Sequence, residues 1–204
     1  MKIKENMHVL LLKGGFGSER EVSLNSAKAC SKAIKENGFI VTEVDIAKMN
    51  VNNLISLKAD VCFNALHGNS GENGSIQGLL NLLKIPYTHS GVAASAISMN
   101  KIYFKRLILN TTESTDDPII FPKTLQINEG EKLSIKNYKG LYVLKPISGG
   151  SSVGVKIVKG QNSIPLKNEF KWKDLMAEEF VGSMELTVTV LKDKPLCVTE
   201  IKAA

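Results

Sequence analysis

The chain has 204 residues, 43% of them hydrophobic, and a net charge of +6, which is enough apolar material for one large or two small domains. No run of about 18 apolar residues occurs, so no membrane-spanning helix is expected, and the charged segment Met1–Met7 lacks the apolar stretch of a secretory signal. Only Arg20 and Arg106 are arginines. Bidentate contacts to bases and phosphates favour guanidinium, and no basic run is interleaved with aromatics, so the positive charge reads as a lysine-rich solvated surface rather than a nucleic-acid interface. Cys30, Cys62 and Cys197 are odd in number and far apart in apolar surroundings. They are expected to be reduced core thiols of a cytoplasmic protein, not a disulfide framework or a zinc site.

In chain order, His8–Leu12 is a short apolar run that predicts a strand, followed by Gly14 and Gly15. A helical pattern follows, with Val22, Ser26, Ala29 and Ala33 on one face and Gly38 as the stop signal. Phe39–Ile46 and Val61–Leu66 predict strands, the latter ending in the polar loop His67–Gly74. Ser75 is placed to cap a helix over Ile76–Lys84, and Ala93–Asn110 is helical in composition. Strands alternating with helices predict a parallel sheet covered on both faces. Ligands of such sheets sit at the carboxyl ends of the strands, where the loops after Leu12 and Leu66 fall. Beyond the polar breaker Thr111–Pro118 the character changes. Strand-like segments dominate at Ile119–Ile127, Leu141–Ile147, Val153–Val158, Leu175–Phe180, Glu185–Leu191 and Leu196–Ile201. Asp193 and Lys194 would turn the last two into a hairpin, although they are not a favoured turn pair.

Four segments carry potential chemistry. Gly14-Gly15-Phe16-Gly17-Ser18-Glu19-Arg20 allows close backbone approach by a ligand, but Arg20 stands where a dinucleotide fingerprint has its third glycine. Glu19 could equally be a carboxylate favoured at a helix start by the dipole. His67-Gly68-Asn69-Ser70-Gly71-Glu72-Asn73-Gly74 can line a small-molecule pocket or be an ordinary surface turn. His8 and His89 show no ligand spacing relative to His67, so no metal site is expected. Lys145-Pro146-Ile147-Ser148-Gly149-Gly150-Ser151-Ser152-Val153-Gly154 offers backbone N–H groups and hydroxyls for phosphate oxygens, with Lys145 adding a fixed charge. It is not a Walker A loop, because Val155 intervenes before Lys156; its alternative is a flexible hairpin loop. Glu178-Glu179-Phe180-Val181-Gly182-Ser183-Met184-Glu185 places carboxylates around a glycine turn between strands, or forms a solvated strand edge.

Together these segments resemble the D-alanine–D-alanine ligase family. Glu19-Arg20-Glu21-Val22-Ser23, Ala65-Leu66-His67-Gly68, Pro86-Tyr87-Thr88, Ser98-Met99-Asn100-Lys101, Lys145-Pro146 with Gly150-Ser151-Ser152-Val153-Gly154, and Glu185-Leu186-Thr187-Val188 match its motifs in order, over nearly the whole chain after Met7. The resemblance implies an α/β ATP-grasp fold. Residues 1–6 would be an N-terminal extension and 7–98 a Rossmann-like preATP-grasp domain. Residues 99–204 would form the small α+β ATP-grasp central domain plus the start of the C-terminal domain. It implies that Glu19 anchors the ammonium of the first D-alanine and hydrogen-bonds Ser151, with these two as catalytic residues, and that His67 lies beside that substrate. Lys101, Lys145, Ser151 and Ser152 would contact ATP phosphates. Glu178 would lie near the adenine amino group, Val181 at the hinge whose backbone meets the ring, and Glu185 on the ribose hydroxyls. Asn100 stands where many members have Asp, Ile147 where Ser is common, and the stretch between Val158 and Leu175 is short for the family, which puts its local helix in doubt.

The implied reaction joins two D-alanines at the expense of ATP, through an acyl phosphate, in peptidoglycan precursor synthesis. ATP and D-alanine would be the small-molecule partners, with no nucleic acid or membrane and with a homodimer as an open option. Magnesium is implied, but the family's metal ligands and its oxyanion arginine lie downstream of Ala204. The sequence therefore reads as an incomplete fragment, inactive by itself. Two alternatives stand beside this reading: a related carboxylate–amine ligase, such as one joining D-alanine to D-lactate, and a non-catalytic nucleotide-binding remnant.

Overall fold

The computed structural model describes residues 6–112, 114–128, 132–135, 138–160, 164–165, 172–182 and 184–202. Most of the expected N-terminal extension, and most of the short stretch between Val158 and Leu175, lie outside them. The chain divides into two compact units, residues 1–120 with 147–153, and residues 121–146 with 154–204.

In the first unit, β1 (His8–Lys13) is followed by α1 (Arg20–Glu36), β2 (Ile40–Asp45), α2 (Val51–Ser56), β3 (Val61–Asn64), α3 (Asn69–Glu72) and α4 (Ser75–Leu82). The strands form a parallel sheet in the order β2–β1–β3. Leu10, Leu11 and Leu12 of the central strand are fully buried, as expected of a parallel strand covered on both sides. Leu10 and Leu12 pack with Leu54, Cys62, Leu66, Ile76 and Leu80 in one cluster. Leu11 packs with Ala27 and Ala65 in another. Tyr87 extends the sheet by a parallel bridge to Cys62.

Several local expectations are corrected. The buried face of α1 carries Ser23, Ala27 and Ser31, whereas Val22 is 54% exposed and Ala29 and Ala33 face solvent. Apolar periodicity failed here because the inner residues are small or hydroxylated. Such residues let the helix lie close to the sheet, and Ser23 satisfies its hydroxyl with two backbone partners. Ser75 does not cap α4; Gly74, with φ 91°, takes that position, and the Ser75 N–H donates to Asn73 Oδ1 at 3.0 Å. The helical stretch after Gly91 is two helices, α5 (Val92–Met99) and α6 (Lys101–Thr112), broken at Asn100. Asn100 leaves the helical region at ψ 104°, and its Oδ1 accepts from the N–H groups of Ile102 and Tyr103, both at 3.1 Å. It therefore starts the second helix as an N-cap. Of the cysteines, Cys62 is buried, Cys30 half-buried and Cys197 exposed, so the last is not a core thiol.

The second unit is built from β4 (Thr124–Leu125), β5 (Ile127–Asn128), β6 (Lys132–Ile135), β7 (Leu141–Pro146), β8 (Lys156–Lys159), β9 (Ile164–Pro165), β10 (Leu175–Glu179), β11 (Glu185–Leu191) and β12 (Lys194–Ile201). The unit holds an antiparallel sheet in the order β4–β10–β7–β8, a small β5–β6–β9 sheet and the β11–β12 hairpin. Tyr142 and Leu144 alternate inward from β7 to meet Leu125, Ile135, Val158, Leu175 and Ala177. Val143 and Lys145 take the opposite face by the two-residue period. The expected strand over Ile119–Ile127 pairs only at Thr124–Leu125 and from Ile127. The hairpin turn falls on Lys192 and Asp193, one residue before the expected position. Leu191 pairs with Lys194, and both turn residues have positive φ, 49° and 64°, as a two-residue primed turn demands. A register shift beside Val190 and Pro195 accommodates a proline that cannot donate to the ladder.

Candidate active site

At the carboxyl ends of β1 and β3, two loops of the first unit are pinned together by one hydroxyl. Ser23 Oγ accepts from the Gly14 N–H at 2.8 Å and donates to the Ala65 carbonyl at 2.7 Å. Ser23 is fully buried, so both bonds form away from water. Glu19 is the N-cap residue of α1, yet its side chain makes no capping bond. Its carboxylate instead accepts a hydrogen bond from Ser151 Oγ, across 132 residues of sequence. The carboxylate is thus directed to a second loop rather than to the N–H groups of the first turn of α1. Gly68, at φ 67°, forms the other wall of its seat, and a Cβ there would strike Glu19 Oε2.

The loop after β3 is held by amide side chains. Asn64 Nδ2 and Gln77 Nε2 both donate to the Gly71 carbonyl, at 2.9 and 2.7 Å. Gln77 is 1% exposed and its Oε1 has no protein partner. His67 Nε2 lies 3.1 Å from Ser26 Oγ, and His67 Nδ1 lies 3.7 Å from Glu72 Oε1, an ion pair when the ring is protonated. The expected polar loop thus contains a short helix, α3.

The segment Ile147–Val153 clusters with this unit. Asn100 bridges Ser148, the Lys101 N–H donates to the Ile147 carbonyl at 3.0 Å, and Lys101 Nζ donates to the Gly149 carbonyl at 2.7 Å. The break between α5 and α6 is what frees these groups. Ser151 and Ser152 both adopt left-handed φ, 49° and 56°, so the turn runs through two strained non-glycine residues. Beside it is a cavity of about 370 Å³ whose lining includes Glu72, Gln77, His89, Ser95, Lys101 and Gly150.

The other expected nucleotide contacts belong to the second unit. Lys145 and Glu178 form an ion pair at 2.6 Å, with Glu178 only 5% exposed. The pairing follows from register: Lys145 lies opposite Met176, so Glu178, two residues on, is its diagonal neighbour on the same face. Val181 follows β10 and Glu185 opens β11; both are exposed. Among the described residues no group of three or more His, Cys, Asp or Glu side chains could hold a metal ion, and no helix is long and apolar enough to cross a membrane.

Sequence reasoning missed Ser23, Asn64, Gln77, Asp45 and the capping role of Asn100. Each acts through backbone groups or a partner distant in sequence, which periodicity does not register. Asp45 is 2.5 Å from Arg20, and its carboxyl is pulled down to about 2, first by the hydrogen bond from Arg20.

The family model described as "D-ala D-ala ligase N-terminus" matches residues 51–90. A D-alanine–D-alanine ligase of Methylobacterium radiotolerans is 45% identical over 97% of this chain and 64% of its own length. A D-alanine–D-alanine ligase B of Mesorhizobium japonicum is 43% identical over the same shares. Among solved structures, the D-alanine–D-alanine ligase of Bacillus anthracis complexed with ATP superposes with a TM-score of 0.74 at 27% identity, covering 97% of this chain and 67% of that one. The α/β fold is thus that of the ligase structures, and the chain spans somewhat under two thirds of these curated relatives' length. Over almost its entire length the chain is similar in sequence and fold to about two thirds of the length of D-alanine–D-alanine ligases.

Proposed function

We propose that this chain provides the ATP side and the first-substrate side of a D-alanine–D-alanine ligase, which converts ATP and two D-alanines to the dipeptide, ADP and phosphate through an acyl phosphate. The observation that carries the reading is the hydrogen bond from Ser151 to Glu19. It joins the glycine loop after β1 to a hydroxyl- and glycine-rich loop suited to phosphate oxygens. A carboxylate fixed beside a phosphate loop suits an amino acid whose ammonium it holds and whose own carboxylate is to be phosphorylated.

In this reading Glu19 binds the ammonium of the first D-alanine and Ser151 orients Glu19. His67, tied to Ser26 and Glu72, borders the same substrate. Lys101, Lys145, Ser151 and Ser152 neutralise and position phosphate oxygens, the main task in phosphoryl transfer. Glu178, Val181 and Glu185 hold adenine and ribose. Among the described residues no group of three or more His, Cys, Asp or Glu side chains is present to hold magnesium. The D-alanine and ATP partners rest on the relatives' names and on an ATP complex in the family; the cytoplasm is the expected compartment for both small molecules.

The test is calorimetric titration of the chain with ADP, NAD and D-alanine, each repeated on Glu19→Gln. ADP should bind in preference to NAD, and Glu19→Gln should weaken D-alanine without changing ADP. Equal or tighter binding of NAD would overturn the nucleotide assignment, and an unaltered D-alanine affinity would remove Glu19 from the substrate.

A further inference from the structure

The residue after Glu19 faces the other way. Arg20 Nη1 donates to Asp45 Oδ1 at 2.9 Å and Nη2 to Asp45 Oδ2 at 2.5 Å, a two-pronged pairing of guanidinium and carboxylate. The same Nη1 also donates to the Gly15 carbonyl at 3.1 Å. Asp45 ends β2, and its Oδ1 additionally accepts from the Ala47 N–H at 3.1 Å, so the anchor is itself fixed to the backbone. The Arg20 N–H closes a turn onto the Gly17 carbonyl at 3.2 Å. Gly14, at φ 80°, lies so close under the pair that a Cβ would strike both Asp45 and Arg20. The glycine loop that carries Glu19 is therefore clamped between Ser23 at its start and the Arg20–Asp45 pair along its length.

We infer that Arg20 and Asp45 act as positioning residues that fix the glycine loop, and through it the Glu19 carboxylate, for recognition of the substrate ammonium. Neither touches the substrate. A single-pronged or neutral side chain at position 20 cannot hold Asp45 and the Gly15 carbonyl together, so the loop would sample other turns and Glu19 would lose its fixed aim. The planar fork, not the charge alone, does the holding. This inference rests on the assignment of Glu19 to the D-alanine ammonium, and its test separates the two.

The experiment compares the chain with Arg20→Ala, Asp45→Asn, the double variant and Glu19→Gln, reading D-alanine and ADP affinity by calorimetry and amide hydrogen exchange over residues 14–19. Arg20→Ala and Asp45→Asn should each weaken D-alanine about tenfold, less than the roughly hundredfold by which a misplacement of about 1 Å can lower a catalytic rate. The double variant should be no worse than the worse single one, and ADP affinity should stay within about twofold. Additive losses, equal loss of ADP affinity, or no loss of D-alanine affinity would overturn the inference. If Glu19→Gln leaves D-alanine affinity intact, the substrate assignment of Glu19 fails, and loop exchange alone decides the clamp. Faster exchange at residues 14–19 with the body of α1 unchanged upholds it, and unchanged loop exchange refutes it.

Discussion

Replacing Lys145 by methionine keeps the side-chain volume and removes one charge from a pair whose other member, Glu178, is 5% exposed. Breaking a fully enclosed ion pair costs about 3–5 kcal/mol. The Lys145 side chain, however, is 24% exposed, so water screens part of the charge. The expected loss is nearer that of a single charge-assisted hydrogen bond, about 1.5–3 kcal/mol. Glu178→Gln should cost less, since a neutral amide carries a smaller desolvation penalty. The double variant should recover at least about 1 kcal/mol relative to the sum of the singles, because two groups 2.6 Å apart are strongly coupled. Urea unfolding followed by tryptophan fluorescence is the assay: Trp172 is the one tryptophan in the sequence and belongs to the same unit. On the proposed function, ADP affinity should also fall by tenfold or more in Lys145→Met, the equivalent of about 1.4 kcal/mol or above. Additivity within about 0.4 kcal/mol would refute the pairing as an energetic unit.

Gly68→Ala should both destabilise the fold and weaken D-alanine binding, because φ 67° is strained for alanine and its methyl would occupy the seat of Glu19 Oε2; melting temperature and calorimetry read the two effects separately. Acid unfolding should depend on Glu43 and Asp45. Lys13 and then Ser31 hold the Glu43 carboxyl down to about 2, and Arg20 does the same for Asp45. Depressed values give stability that is present above the ordinary carboxylate range and is lost as pH falls through about 2. Asp45→Asn should therefore lower the urea midpoint at neutral pH and flatten its decline between about pH 4 and 2, and an unchanged slope would count against the ion pair. Alkylation by iodoacetamide, mapped by mass spectrometry, should reach exposed Cys197 first. Cys62, whose thiol is pushed up to about 12 by burial, should react only on unfolding.

The alternation of short apolar runs with helical segments made the parallel sheet of the first unit legible, and the unbroken run Leu10–Leu12 suits a strand covered on both faces. The same reasoning misplaced the inner face of α1, where hydrogen bonding rather than apolarity buries Ser23 and Ser31. It missed the capping role of Asn100 because the residues on both sides are helical in composition, so the stretch reads as one helix. The contact between Glu19 and Ser151 was available only by resemblance, as the residues are 132 positions apart and no local pattern links them. The pairing of Lys145 with Glu178 needed the strand register, which sequence periodicity cannot supply.

Ser23 has a consequence for how this region tolerates change. One hydroxyl satisfies a donor after β1 and an acceptor after β3, so the two loops share a fastener and do not vary independently. A substitution in the glycine loop that shifts Gly14 also disturbs Ala65, and with it the chain leading to His67 and Gly68. Effects of changes in the two loops should then be non-additive even where their side chains never meet. Transplanting one loop from a relative should succeed only when the other loop is carried along with it.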